Sequence, residues 1–325
     1  MYVLEEKKLI EETTFNDLGM KESDVEELLR QNVEMLCDDE DSLLIVGQQV
    51  ANEKKGRSDL IAIDNQGNVV LIEIKRDKKD IEHRKEAFEF QAIRYAASFA
   101  TLRTVEEFLQ NVYAPYVEKH KFEFKDYITL TSTEIAQREL SNFFKGNNLS
   151  AEDFNKKQRI VLVASEFDEQ TLSAVAWLNS NSVDIACYKI NLNKFNQHII
   201  LNMEKILPVD DYNDYLVNIV QPKSFIQKKK EAKITRKILP KIDTLIEWGI
   251  VSEGDVLISD TSEKAEVTLL RDGNVKTSSN EILTIQQWLK KLTGWSAVET
   301  YKFTIDKKTG KTLSKLREEY MQAEK

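Results

Sequence analysis

Residues 57–75, RSDLIAIDNQGNVVLIEIK, set two short apolar runs on either side of Asn65-Gln66-Gly67-Asn68, and this stretch restricts the fold most. Turn residues between dense Leu, Ile and Val specify a β-hairpin. Into it the chain inserts Asp59, Glu73 and Lys75. Charges beside buried surface are expensive unless they are paired or bind a cation. Alternate side chains of a strand share a face, so Glu73 and Lys75 point one way and Ile74 the other. The turn folds Asp59, near the start of the first strand, back toward the end of the second. The three charged groups are therefore expected to converge at one end of the hairpin.

Two carboxylates held this close repel one another unless a divalent cation neutralises both. Carboxylates and a backbone carbonyl, here that of Ile74, are hard oxygen ligands suited to Mg²⁺ or Mn²⁺. A lysine beside them can orient a water or stabilise charge developing on a phosphate. The alternative is a cross-strand ion pair on a solvated face, which contributes only about 0–1 kcal/mol.

The surroundings favour the first reading. Val25, Leu28, Leu29, Val33 and Leu36 recur at helical spacing and predict an amphipathic helix over 22–36. Glu26 lies at the margin of its apolar arc, facing the sheet, whereas Glu27 falls on the solvated side. Residues 42–50 predict a strand. Residues 80–109 predict a helix on which Gln91 and Tyr95, four apart, share a face. Residues 110–157 are expected to be helical with loops and carry no candidate chemistry. Strand patterns return at 159–165, 183–190 and 198–203, with a helix over 168–179, which predicts a crossover unit extending the same sheet.

The segments ESDVEELLRQNVEML, GRSDLIAID, VVLIEIKR and QAIRY, in this order, resemble the PD-(D/E)XK nuclease superfamily, specifically its RecB-like and NucS-like branch with a Gln-x-x-x-Tyr helix. The likeness covers residues 20–100. It implies an α/β fold with a restriction-endonuclease-like mixed central sheet flanked by helices. It further implies Asp59 and Glu73 as metal ligands with Glu26 as the first-helix acid, for which Glu22 one turn earlier is the rival, Lys75 as the catalytic lysine, and Gln91 and Tyr95 as supporting residues. Gly56 and Arg57 match the glycine and basic residue that precede the metal-binding aspartate. Arg57 and Arg76 are the basic residues expected to meet nucleic acid beside the site.

A lysine-bearing segment with Pro222, residues 221–233, suggests a boundary near 225, giving a nuclease domain over 1–224 and a smaller α+β domain over 225–325. The second is expected to contain a helix, a hairpin turning at Asp272-Gly273, a second helix and a C-terminal helix. IEWGIVSEGDVLI, AEVTLLRDGNV, TGW and GKTLSKLREEY resemble the RAMA domain found beside restriction enzymes and adenine methylases, which implies DNA targeting. Trp295 and Trp288 could offer flat surfaces to a base, and Lys290, Lys291, Lys302 and Lys311 could meet phosphates. Core packing is the competing expectation for Trp288, a solvated face for the lysines, and a solvated linker for Lys228–Lys230.

Charge distinguishes the halves. The chain carries 46 Lys and Arg against 55 Asp and Glu, net −9, which argues against a surface coated for indiscriminate nucleic-acid binding. Residues 225–325 hold 19 basic against 15 acidic residues, so a polyanion is better received there. Cys37 and Cys187 lie far apart in apolar runs, as buried reduced thiols do, and the three histidines show no zinc-ligand spacing. With no signal-peptide pattern and no long apolar run, a cytoplasmic protein that does not enter a membrane is expected. The expected activity is Mg²⁺- or Mn²⁺-dependent DNA cleavage in restriction, defence or repair, by a homodimer or with a partner subunit. The alternative is a module that reads DNA without cutting, or a nuclease subunit active only with its partner.

Overall fold

The hairpin lies inside a mixed seven-stranded sheet. The structure, a computed structural model, describes residues 2–3, 8–9, 11–38, 41–52, 56–76, 86–127, 129–209, 215–217, 239–295 and 298–323. Its first part runs β1 (Glu11–Thr13), α1 (Glu22–Gln31), β2 (Leu43–Ala51), β3 (Arg57–Asp64), β4 (Val69–Lys75), α2 (Phe88–Phe99), α3 (Ser132–Gly146), β5 (Gln158–Ala164), α4 (Glu169–Ser180), β6 (Ile185–Phe195) and β7 (His198–Leu207). A two-residue ribbon, Tyr2–Val3 on Lys8–Leu9, precedes it. The strand order is β1-β6-β5-β4-β3-β2, with β7 also paired to β6. Strands β2, β3 and β4 form an antiparallel meander, while β5 and β6 add in parallel, with α4 between them. The expected crossover unit is thus present, and β4 is a central strand whose residues from Val69 to Ile74 are all buried.

Local sequence explains where the elements begin and end. Val25, Leu29, Val33 and Leu36 of the apolar arc are buried as expected and Leu28 half-buried, but the helix stops at Gln31. Asn32 donates its side-chain amide to the Leu28 carbonyl, and a 3₁₀ turn over Val33–Leu36 finishes the arc. The β3–β4 turn is held by the Asp64 carboxylate, which accepts from the Gln66 and Asn68 amides. Gly67 is required there: its φ is +81°, and a Cβ would come within 2.7 Å of the Asp153 carbonyl oxygen. The helix expected over 80–109 is shorter, spanning 88–99, and Thr104 caps a new helix beginning at Val105. Residues 77–85 lie outside the described residues. Residues 105–119 and α3 bear out the helical expectation for 110–157.

Inside this part a buried ion pair joins Arg159, at the start of β5, to Asp41 at 3.2 Å. Cys187 is buried and Cys37 partly so, both as thiols, and Cys37 Sγ donates to the Val33 carbonyl at 3.4 Å.

A second sheet of six antiparallel strands follows: β8 (Val256–Ser259), β9 (Ser262–Leu269), β10 (Val275–Thr277), β11 (Ile282–Leu283), β12 (Thr304–Asp306) and β13 (Lys311–Thr312), ordered β11-β10-β9-β8-β12-β13. Helices α5 (Ile242–Glu247), α6 (Ile285–Thr293) and α7 (Leu313–Ala323) accompany it. The fold class is therefore α/β, with a helix-flanked mixed sheet and a second, smaller antiparallel unit. The expected turn at Asp272-Gly273 joins β9 to β10. Thr284 and Gln287 form a capping box at the start of α6, and Gly294, at φ +73°, ends it. The boundary near 225, with Lys228–Lys230, falls outside the described residues. No helix among the described residues is long and apolar enough to cross a membrane.

Candidate active site

The register of the hairpin sets the site. Leu60 pairs with Ile72, so Asp59 comes opposite Glu73. Both acids are buried, Glu73 completely. Asp59 Oδ2 accepts from the Ile74 amide at 2.8 Å. Glu73 Oε2 accepts from Gln91 Nε2 at 3.3 Å, but Glu73 Oε1 is buried and meets no hydrogen-bond donor among the described residues. Burial, and then the charge of Asp59, push Glu73 well above the usual carboxylate range. Burial raises Asp59 too, against the opposing pull of Lys75 and the Ile74 amide.

Lys75 ends β4 on the same side. Its ammonium donates to the Ile74 carbonyl at 2.9 Å and to Glu22 Oε1 at 3.2 Å. Burial works against its charge, yet Glu22, Asp59 and Glu73 more than offset that and hold it protonated above the ordinary lysine range. Asp59, Glu73 and Lys75 do converge, with the carboxylates outnumbering the lysine.

Helix α1 brings two acids, and their roles divide. Glu22 pairs with Lys75. Glu26 is buried and accepts from the Gln49 side-chain amide, which also donates to Asp59 Oδ1 at 3.2 Å. The Glu26 carboxylate is thus linked to Asp59 through an amide and does not join the two hairpin acids as a third carboxylate. Glu27 lies away from them, taking hydrogen bonds from Arg30, Gln31 and Gln48. The Arg30 guanidinium lowers it to about 2.

On α2, Gln91 reaches the site and Tyr95 shapes its edge. The Tyr95 ring lies over Gly56, where a Cβ would come 2.6 Å from Cε1. Gly56 is therefore needed for close packing at the mouth of the hairpin. Tyr95 walls the site by this contact.

The residues expected to meet nucleic acid divide. Arg57 is exposed at the start of β3. Arg76 donates to the Met20 carbonyl at 2.8 Å and lines a cleft of about 780 Å³ with Lys189, Ser165 and Asn191. This cleft begins just past Lys75, and the carboxylate pair does not line it. Trp295 corrects the expectation of a stacking surface: it is 5% exposed, edge-on to Phe143 and Phe303 at 5.3 and 5.5 Å. The chain turns at Gly294 and drives the indole against Gly146, whose missing Cβ makes the room. Trp288 is buried as well. Lys290 also departs from expectation, since it donates to the Gln31 carbonyl and to Glu34 beyond the end of α1, both at 2.9 Å. Lys291 pairs with Glu281, Lys302 with Glu299 and Lys311 with Glu319 on the surface.

Sequence reasoning missed Gln49. Its signal was Gly-Gln-Gln inside an otherwise apolar strand, where two consecutive amides break the apolar pattern.

The donor set fits a hard divalent cation. Asp59, Glu73 and the Ile74 carbonyl offer oxygen, and Glu73 Oε1 is an acceptor without a donor among the described residues. Among the described residues no group of three or more Asp, Glu, His or Cys side chains is arranged to hold a metal ion. Two carboxylates are enough for Mg²⁺, which keeps several of its waters. No family model matches the chain. No curated protein matches it either.

Proposed function

We propose that the chain is a divalent-cation-dependent DNA endonuclease whose active centre is Asp59, Glu73 and Lys75. The observation that carries this reading is the buried Glu73 carboxylate opposite Asp59, whose Oε1 has no hydrogen-bond donor among the described residues. A carboxylate pair with this shortfall of positive charge costs stability unless something cationic shares the site. Asp59 and Glu73 would hold Mg²⁺ or Mn²⁺ with the Ile74 carbonyl; when bound, such a cation neutralises the pair and draws charge from a phosphate. Gln91 orients Glu73, and the Ile74 amide orients Asp59. Lys75 holds its proton at Nζ and offers it to a phosphate oxygen as negative charge develops. The likeness of the four motifs to PD-(D/E)XK nucleases supports the same chemistry, and exposed Arg57 can meet the DNA backbone beside the carboxylates.

The test is incubation of the full chain with Mg²⁺ or Mn²⁺ and a panel of plasmid, linear, branched and single-stranded DNAs, methylated and unmethylated. Cleavage should vanish in EDTA and fall by about 10³-fold in Glu73→Ala, corresponding to about 4 kcal/mol of lost transition-state stabilisation. Cutting that survives Glu73→Ala would sink the assignment. DNA bound but never cut would favour a reader or a subunit that needs its partner.

A further inference from the structure

Gln49 interrupts β2 with a left-handed backbone, φ +55°. Residues other than glycine seldom adopt that conformation, and it gathers where a fold is arranged around a site. Here its effect is directional. A regular strand would send Gln48 and Gln49 to opposite faces. Instead both reach α1, Gln48 donating to Glu27 at 3.3 Å and Gln49 to Glu26. The Gln49 amide nitrogen also donates to Asp59 Oδ1. With Oδ2 held by the Ile74 amide, both oxygens of Asp59 are fixed in direction. An amide can do this between two carboxylates without adding a third negative charge.

The geometry points to Gln49 as a positioning residue: Glu26 acts on the Asp59–Glu73 site through the Gln49 amide, not as a cation ligand of its own. This rests on the cation reading proposed above. Such outer partners commonly set metal affinity by 10–100-fold.

The experiment titrates the full chain with Mn²⁺ and follows the free-ion EPR signal, with melting temperature measured alongside. It compares wild type, Asp59→Ala, Gln49→Gly, Glu26→Ala and the Gln49→Gly/Glu26→Ala double variant. Gln49→Gly keeps the left-handed backbone but leaves the buried Glu26 carboxylate without its amide donor, so it should melt somewhat below wild type, still cooperatively, and bind Mn²⁺ about 10-fold more weakly. Gln49→Asn, which tolerates the same backbone with a shorter reach, should weaken binding similarly. The double variant should bind within about twofold of Glu26→Ala alone, since one linkage is lost either way. Additive losses would make Glu26 a ligand in its own right and overturn the inference. So would Asp59-dependent binding that Gln49→Gly leaves unchanged. Wild-type binding that is absent, or that persists in Asp59→Ala, would overturn the cation reading and this inference with it.

Discussion

Glu73 shows what a single side chain can cost. It is fully buried, keeps one oxygen without a donor among the described residues, and faces Asp59. Burial raises its folded pKa, so the folded chain takes up that proton more readily than the unfolded one. Folding gains from the proton at acidic pH and loses that gain as pH rises through the folded value. In EDTA, stability should therefore decline from about pH 5 upward, in the range where an unperturbed carboxyl is already ionised. Glu73→Gln should remove most of that decline and exceed wild type by about 2 kcal/mol at pH 8. Saturating Mg²⁺, at about 100 times its dissociation constant, should return about 2.7 kcal/mol to wild type and little to the variant. Thermal denaturation across pH, with and without Mg²⁺, measures both effects. A Glu73→Gln protein that melts below wild type at pH 8 in EDTA would show the charge to be satisfied where it lies.

Among the elements, the contact of hairpin and α2 is the tightest test. Gly56→Ala places a methyl 2.6 Å from the Tyr95 ring, and overpacking of that kind costs about 1–3 kcal/mol. Tyr95→Leu should recover part of the loss in the Gly56→Ala background; urea denaturation of the two single variants and the double gives the coupling. Most of the hairpin was legible because β-branched runs, Asp64 and Gly67 are local signals. The convergence of Asp59, Glu73 and Lys75 followed from the period of two and from the turn that folds one strand back on the other. What could not be read locally depended on distant partners. Asn32 cuts α1 short through a bond to its own helix, yet Gln49 needs Glu26 and Asp59 to reveal its role. Trp295 looked open because nothing near it in sequence announces Phe143 and Gly146. Lys290 likewise found Glu34, 256 residues away.

At the scale of the whole molecule, those last contacts join the antiparallel unit to helix α3 and the end of α1. Gly146→Ala would bring a methyl 2.1 Å from Trp295 Cη2, closer than packing allows. The expected result is release of the indole, read as faster proteolysis near residue 295 and a red-shifted tryptophan emission. The far-ultraviolet circular dichroism should remain that of the wild type. Unchanged emission would mean that the indole has another seat. The parallel register of the first sheet has a consequence for how the molecule comes into being. Val69 pairs with Gln158, so the hairpin meets its next neighbour about 90 residues later in the chain. Non-local pairing of this kind is slow to form. On a ribosome adding residues from the N-terminal end, the acids of the hairpin are made before β5, and β4 stays an open edge until β5 emerges. Glu73 and Lys75 thus ride on a strand that waits, one edge unpaired, for a neighbour made about 90 residues after it.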